Sequence, residues 1–193
     1  SPTATLDEKK TLIDSRAQSH GYQRGNVLNL DGSSIFDGQM YADREYFQMA
    51  VKGTTWVSDP VISKLTGEVT IIIAAPIWKD GVPNSEVTGV VYFVPKETFL
   101  NDIMATIKVS PNGSAYMINK DGYTIAHKNM DSVKNRENTV EDAKTDTSLA
   151  KLAEIESAMA RGETGFGTYA YSGVSKFLAY APVPETNGWS IGV

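Results

Sequence analysis

A chain of 193 residues can bury a sizeable core, either as one large domain or as two modules of roughly 90 residues each. Its 41% hydrophobic and 21% charged residues exclude wholesale disorder, while 23 acidic against 18 basic residues, with no basic cluster, exclude the electrostatic footprint of a nucleic-acid binder. The lack of cysteine removes disulfides, thiolate metal sites and a cysteine nucleophile.

The first element is expected to be a helix, with Leu6, Ile13 and Ala17 on one face and Gly21 ending it. Ser1 to Thr5 before it has neither a charged start nor an apolar stretch, so no signal peptide is expected and the chain reads as a fragment of a longer one. Val27 to Ile35 follows as a hairpin around Asp31-Gly32, since Gly accepts positive φ and Asp bonds its own backbone. Asp43 is the expected N-cap of a helix through Val51 that Gly53 stops. Trp56 to Ile62, Val69 to Ile77 and Thr88 to Val94 read as a three-stranded meander turning at Thr66-Gly67 and Asp80-Gly81. The longest apolar run, Val69 to Trp78, is about half of the roughly twenty residues a membrane-spanning helix needs.

Lys96 to Ile107 carries Phe99, Leu100, Ile103, Met104 and Ile107 at helical spacing and reads as a connecting helix, broken by Ser110-Pro111-Asn112-Gly113. A second hairpin at Asp121-Gly122 follows, then a polar, loop-rich segment from Lys128 to Thr147. A helix from Ser148 to about Ala160, strands from Phe166 and Lys176, and a last strand over Gly188 to Val193 complete the chain.

The two halves echo each other. Val27-Leu28-Asn29-Leu30-Asp31-Gly32 parallels Met117-Ile118-Asn119-Lys120-Asp121-Gly122, and Ala75-Pro76-Ile77 parallels Ala181-Pro182-Val183, in the same order. The expectation is an α+β fold of two tandem PAS-like modules with antiparallel sheets and a long N-terminal helix. Residues 1–107 would form the helix and one module, and 108–193 the other.

Catalytic chemistry finds little support. His20 and His127 stand at non-equivalent places and make no metal-ligand spacing. The glycines from Gly162 to Gly167 follow a helix and precede a strand, the reverse of the order that aims amides at phosphate. Both Asp-Gly turns lack the spaced oxygens of a calcium loop, and there is no Gly-x-Ser-x-Gly elbow with a base. No enzyme, metal or cofactor is expected.

Tyr41 to Phe47, Val57 to Gly67, Ala75-Pro76-Ile77 and Thr88-Gly89-Val90-Val91 resemble, in order, the membrane-distal half of double Cache domains. The second half, ending in Tyr180-Ala181-Pro182-Val183 and Gly188-Trp189-Ser190-Ile191, resembles the membrane-proximal half. The resemblance covers nearly the whole chain. It implies the extracytoplasmic, metabolite-sensing region of a bacterial membrane receptor: a methyl-accepting chemotaxis protein first, a histidine kinase or diguanylate cyclase as the alternative. It also implies a small-molecule metabolite bound in the distal module and a homodimer packed along the N-terminal helix. The competing reading is a protein-interaction module with a vestigial pocket.

In amino-acid-binding members of that family the helix carries Arg-x-Trp-Tyr, and later strands supply aspartates to the ligand's ammonium group. Here Arg44 matches the arginine, Tyr46 and Phe47 replace Trp and Tyr, Val61 and Ser63 stand where a tyrosine and an aspartate are usual, and the later aspartate falls at Val94 or Pro95. The implied ligand residues are Tyr41, Arg44, Tyr46, Phe47, Trp56, Asp59, Val61, Ser63, Tyr92 and Val94. Retention of the arginine end without the ammonium end implies an anionic or neutral polar metabolite. Asp59 is the carboxylate that strand alternation would bring to the face of Val61 and Ser63, unless a bulge at Pro60 intervenes.

Overall fold

Strand-like stretches close into two main antiparallel sheets in a computed structural model of the chain, which describes residues 4–67, 69–96, 98–110 and 113–193. The chain divides into two compact units, Ser1–Glu97 and Thr98–Val193. Both are mixed α and β, and the first opens with the long helix.

Helix α1 (Leu6–Ser19) starts at a capping box: Thr5 Oγ1 accepts from the Glu8 amide while Glu8 reaches back to the Thr5 amide. It lies against β1 (Arg24–Leu28) where Gly25 leaves room; a Cβ there would sit 2.6 Å from Ile13. On the opposite face of the sheet, α2 (Glu45–Ala50) buries Tyr46, Phe47 and Ala50. Its N-cap is Arg44, one residue later than expected, and the Asp43 carboxylate takes the Lys64 ammonium instead.

The expected meander is interrupted twice. Strand β2 (Trp56–Val57) pairs with β5 (Ile73–Trp78), but β3 (Val61–Ile62) pairs only with β4 (Val69–Thr70), as a separate ribbon. The break falls at Ser58-Asp59-Pro60, where proline removes a ladder donor. Ser58 bridges the gap: its amide donates to the Ile72 carbonyl and its hydroxyl accepts from the Ile72 amide. With β6 (Val87–Val94) the sheet order is β1-β6-β5-β2.

The second unit begins with α3 (Phe99–Thr106), where Asn101 donates to the His127 carbonyl. The connecting helix therefore belongs to this unit, and the division falls earlier than the expected 107/108 boundary. Of the expected break at Ser110 to Gly113, Pro111 and Asn112 lie outside the described residues, as do Ser1 to Thr3. Strands β7 (Tyr116–Ile118), β8 (Thr124–Ala126), β9 (Gly165–Tyr171), β10 (Val174–Pro182) and β11 (Ser190–Gly192) form a sheet of order β8-β7-β11-β10-β9.

The segment expected to be loop-rich holds two short helices, α4 (Met130–Lys134) and α5 (Thr139–Asp142), and a 3-10 turn over Thr147–Leu149. Asn129, Asn138 and Asp146 cap them. Elements this short show no apolar period, so only their caps are readable. Helix α6 (Ala150–Ala160) covers the sheet, packing Leu152, Ile155 and Met159 on Ile118 and Leu178.

Within each unit a hairpin strand, the last strand and the strand before that one lie side by side in the same order, β1-β6-β5 in the first and β7-β11-β10 in the second. The backbone bonds of the two turns match. Asn29 N donates to Ser33 O and Gly32 N to Asn29 O, as Asn119 N does to Tyr123 O and Gly122 N to Asn119 O. Pro76 pairs with Val90 and Pro182 with Ser190, at equivalent places in the two ladders.

Gly32 has φ 87°, and a Cβ there would lie 2.6 Å from the Ala42 amide nitrogen. Gly32→Ala is expected to lose about 2–4 kcal/mol, combining left-handed strain with a backbone clash. Gly21→Ala, at φ 73° with open space around it, should lose only about 1–2 kcal/mol. Urea unfolding of the two variants measures the difference.

Candidate functional site

Alternation along β1 sends Arg24, Asn26 and Leu28 to the inner face of the first sheet, opposite Val94, Tyr92 and Val90. Leu28, Val90 and Val94 are completely buried and join Tyr46, Phe47 and Ala50 in the core. Arg24 and Asn26 place polar groups on that same apolar face, where each group needs a partner.

Asn26 finds four. Its Nδ2 donates to Asp37 Oδ2 at 2.9 Å and to the Tyr92 hydroxyl at 3.1 Å, and its Oδ1 accepts from Ser34 Oγ and the Val27 amide. The Tyr41 hydroxyl donates to Asp37 at 3.0 Å. Tyr41 and Tyr46 both meet the Tyr92 ring edge-on, with centroids 5.8 and 5.6 Å away. Burial pushes all three tyrosine hydroxyls upward, so they remain neutral at physiological pH.

These tyrosines form one wall of a small cavity of about 20 Å³ that opens to solvent. Strand β3 and the turn that follows it toward β4 form another: Val61, Ile62, Ser63, Lys64 and Leu65. Arg44 donates to the Ile62 carbonyl at 3.3 Å, Arg24 Nη2 to Ser63 Oγ at 3.1 Å, and Lys64 to the Met40 carbonyl at 2.9 Å. Ser63 Oγ also accepts from the Leu65 and Thr66 amides, which fixes the turn. Asp43 lies 2.6 Å from Lys64 and 3.9 Å from Arg44 Nε, and the Lys64 hydrogen bond holds its carboxyl below the ordinary range. Among the described residues, no carboxylate lines the cavity.

Six of the expected site residues meet at this cavity: Tyr41, Arg44, Tyr46, Val61, Ser63 and Tyr92. Phe47 and Val94 instead point into the core, and Trp56 packs beside it, in line with Ala74 and Tyr92 across the sheet. Asp59 sits in the break between β2 and β3, outside the lining, because Pro60 interrupts the alternation that would carry it there. Arg24, Ile62, Lys64, Leu65 and Ile72 were not expected. The readable signal for Arg24 was its spacing from Asn26 and Leu28 on a strand that begins three residues earlier than the expected hairpin.

The second unit has a different buried polar group. Glu156, 4% exposed, accepts from the Tyr116 hydroxyl at 2.8 Å and from Thr139. Burial raises the Glu156 carboxyl above its ordinary value, and burial followed by the Glu156 charge raises Tyr116. Among the described residues, no cluster of acidic and histidine side chains forms a metal site.

The family model of the Cache domain matches residues 5–193. No curated protein matches the chain. Its fold is similar to the ligand-binding domain of the Pseudomonas fluorescens chemoreceptor CtaA in complex with L-serine, at TM-score 0.69 and 21% identity over 97% of this chain and 78% of that one. It is similar to the ligand-binding domain of the Campylobacter jejuni chemoreceptor Tlp3 with 4-methylisoleucine, at TM-score 0.70 and 12% identity over 97% and 70%. The extracellular domain of the putative histidine kinase rpHK1S-Z16 gives TM-score 0.69 and 16% identity over 98% and 77%.

A raised native carboxyl pKa means that the folded chain holds the Glu156 proton to higher pH than the unfolded chain does. The contribution of this group to stability is therefore lost as pH rises from the ordinary value of 4.5 through the native one. Glu156→Gln is expected to flatten that part of the stability profile, measured as thermal midpoints across a pH series.

Proposed function

Because this chain belongs to the Cache domain family, we propose that it is the extracytoplasmic sensing region of a bacterial transmembrane signalling receptor, with its ligand held in the cavity of the first unit. The observation that carries this reading is the convergence of Arg44, Tyr41, Tyr46, Val61, Ser63 and Tyr92 on one cavity. A planar arginine fork beside apolar and aromatic walls is the make-up of a small-molecule site.

No helix among the described residues is long and apolar enough to cross a membrane; on this reading the anchors belong to flanking sequence. The first unit is the membrane-distal, ligand-binding module and the second the membrane-proximal one. Two receptor chains pack along α1. The chain's role is binding, with no reaction of its own. A methyl-accepting chemotaxis protein is the first choice of output, in keeping with the two chemoreceptor likenesses, and the histidine-kinase likeness favours that output as the second. Ligand shifts the receptor only through unequal affinity for its two states.

A calorimetric and thermal-shift screen of amino acids, carboxylates, nucleobases and amines tests the reading. A ligand at one hundred times its Kd is expected to add about 2.7 kcal/mol to stability. Arg44→Ala is expected to weaken binding by about tenfold or more while leaving the unliganded fold intact, since the native contacts of Arg44 are one carbonyl and one long ion pair. A ligand whose affinity is indifferent to Arg44 would place the site elsewhere.

A further inference from the structure

We infer that the cavity takes a small organic dianion, of the short-chain dicarboxylate class, and that Arg24 is the anchor for one of its acid groups. The inference rests on reading this cavity as the ligand site and specifies what enters it.

Three cationic side chains line the cavity: Arg24, Arg44 and Lys64. The carboxylate paired with them is Asp43, within 4 Å of Lys64 and Arg44. Asp37 stands behind the tyrosine wall, bonded to Tyr41 and Asn26, so three cations against two carboxylates leave a cationic surplus at the cavity, whose lining itself supplies no carboxylate among the described residues. A ligand ammonium entering here meets like charge and no acceptor anion. A carboxylate meets uncompensated donors.

Arg24 is the sharper part of the case. It stands half-buried on the inner face of β1, forms no ion pair among the described residues, and has Ser63 Oγ as its hydrogen-bond partner through Nη2. Its Nε is buried without an acceptor. Leaving a charged donor unsatisfied away from water is costly, and a planar fork regains that cost most fully from a carboxylate. Arg24 comes from β1 and Arg44 from the start of α2, and Ser63 and Ile62 hold them at adjacent points of the ribbon. An acid group at each end of a short ligand suits that placement.

Succinate and L-aspartate differ by one ammonium group and so isolate the charge argument. Calorimetric titration of the 193-residue chain is expected to show succinate or malate binding at least about tenfold more tightly than L-aspartate or L-serine, with affinity falling as salt is added. Arg24→Gln retains a donor for Ser63 Oγ while removing the charge, and is expected to weaken succinate or malate by about tenfold to a hundredfold. Arg24→Lys serves as a second variant that keeps the charge without the fork, and is expected to retain part of the binding. Tighter binding of L-serine or L-aspartate overturns the inference and leaves the sensing role standing. Binding of inorganic phosphate alone, or of succinate with equal affinity to wild type and Arg24→Gln, also overturns it. If no acid or amino acid binds, this inference fails, and the nucleobase and amine arms of the wider screen decide separately whether the cavity is a ligand site.

Discussion

A strand that turns polar side chains toward a core must satisfy them there, and β1 turns Arg24 and Asn26 to the same face as the completely buried Leu28. The first unit is arranged around that demand. Asn26 is matched by Tyr92 across the ladder, by Ser34 on the returning arm of the hairpin and Asp37 just after it, and by its neighbouring backbone. Those bonds set the Tyr92 hydroxyl, and through Asp37 they also set Tyr41. The aromatic wall of the cavity is thus a consequence of burying one amide correctly.

The second unit meets the same topological problem with other residues. Aligned on the matching turns, Leu28 corresponds to Ile118 and Asn26 to Tyr116, while Arg24 corresponds to Ser114. Tyr116 gives its hydroxyl to Glu156 from the covering helix, so the buried polar group of this unit is acidic where the first unit's lining is cationic. Two units that share a strand order therefore bury different polar groups on their inner faces.

The break at Ser58-Asp59-Pro60 is what separates the cavity from an ordinary sheet. Had the register of β2 with β5 run on unbroken, Val61 would stand opposite Val69; it pairs instead with Thr70, one residue out of step. Proline ends the pairing, Ser58 closes the gap with two bonds to Ile72, and the segment that follows brings the Ile62 carbonyl to Arg44, the Ser63 hydroxyl to Arg24 and the Lys64 ammonium to Asp43. The same break leaves Asp59 outside the lining.

Local signals sufficed for much of this. The Asp-Gly turns, the apolar spacing of α1 and α3 and the repeated Ala-Pro strand determined the α+β class, the antiparallel sheets and the order of elements, because each depends on residues close together in the chain. The motif around Arg44 was likewise readable. What tertiary structure alone decided was membership of the cavity. Phe47, Val94 and Trp56 differ from Tyr46 and Tyr92 not in residue type but in which neighbour packs against them. Arg24 enters the site only because β1 pairs with β6, a partner more than sixty residues away. Charge balance belongs to that same level: three cations from three elements face one space, a sum over distant parts of the chain that no local pattern contains.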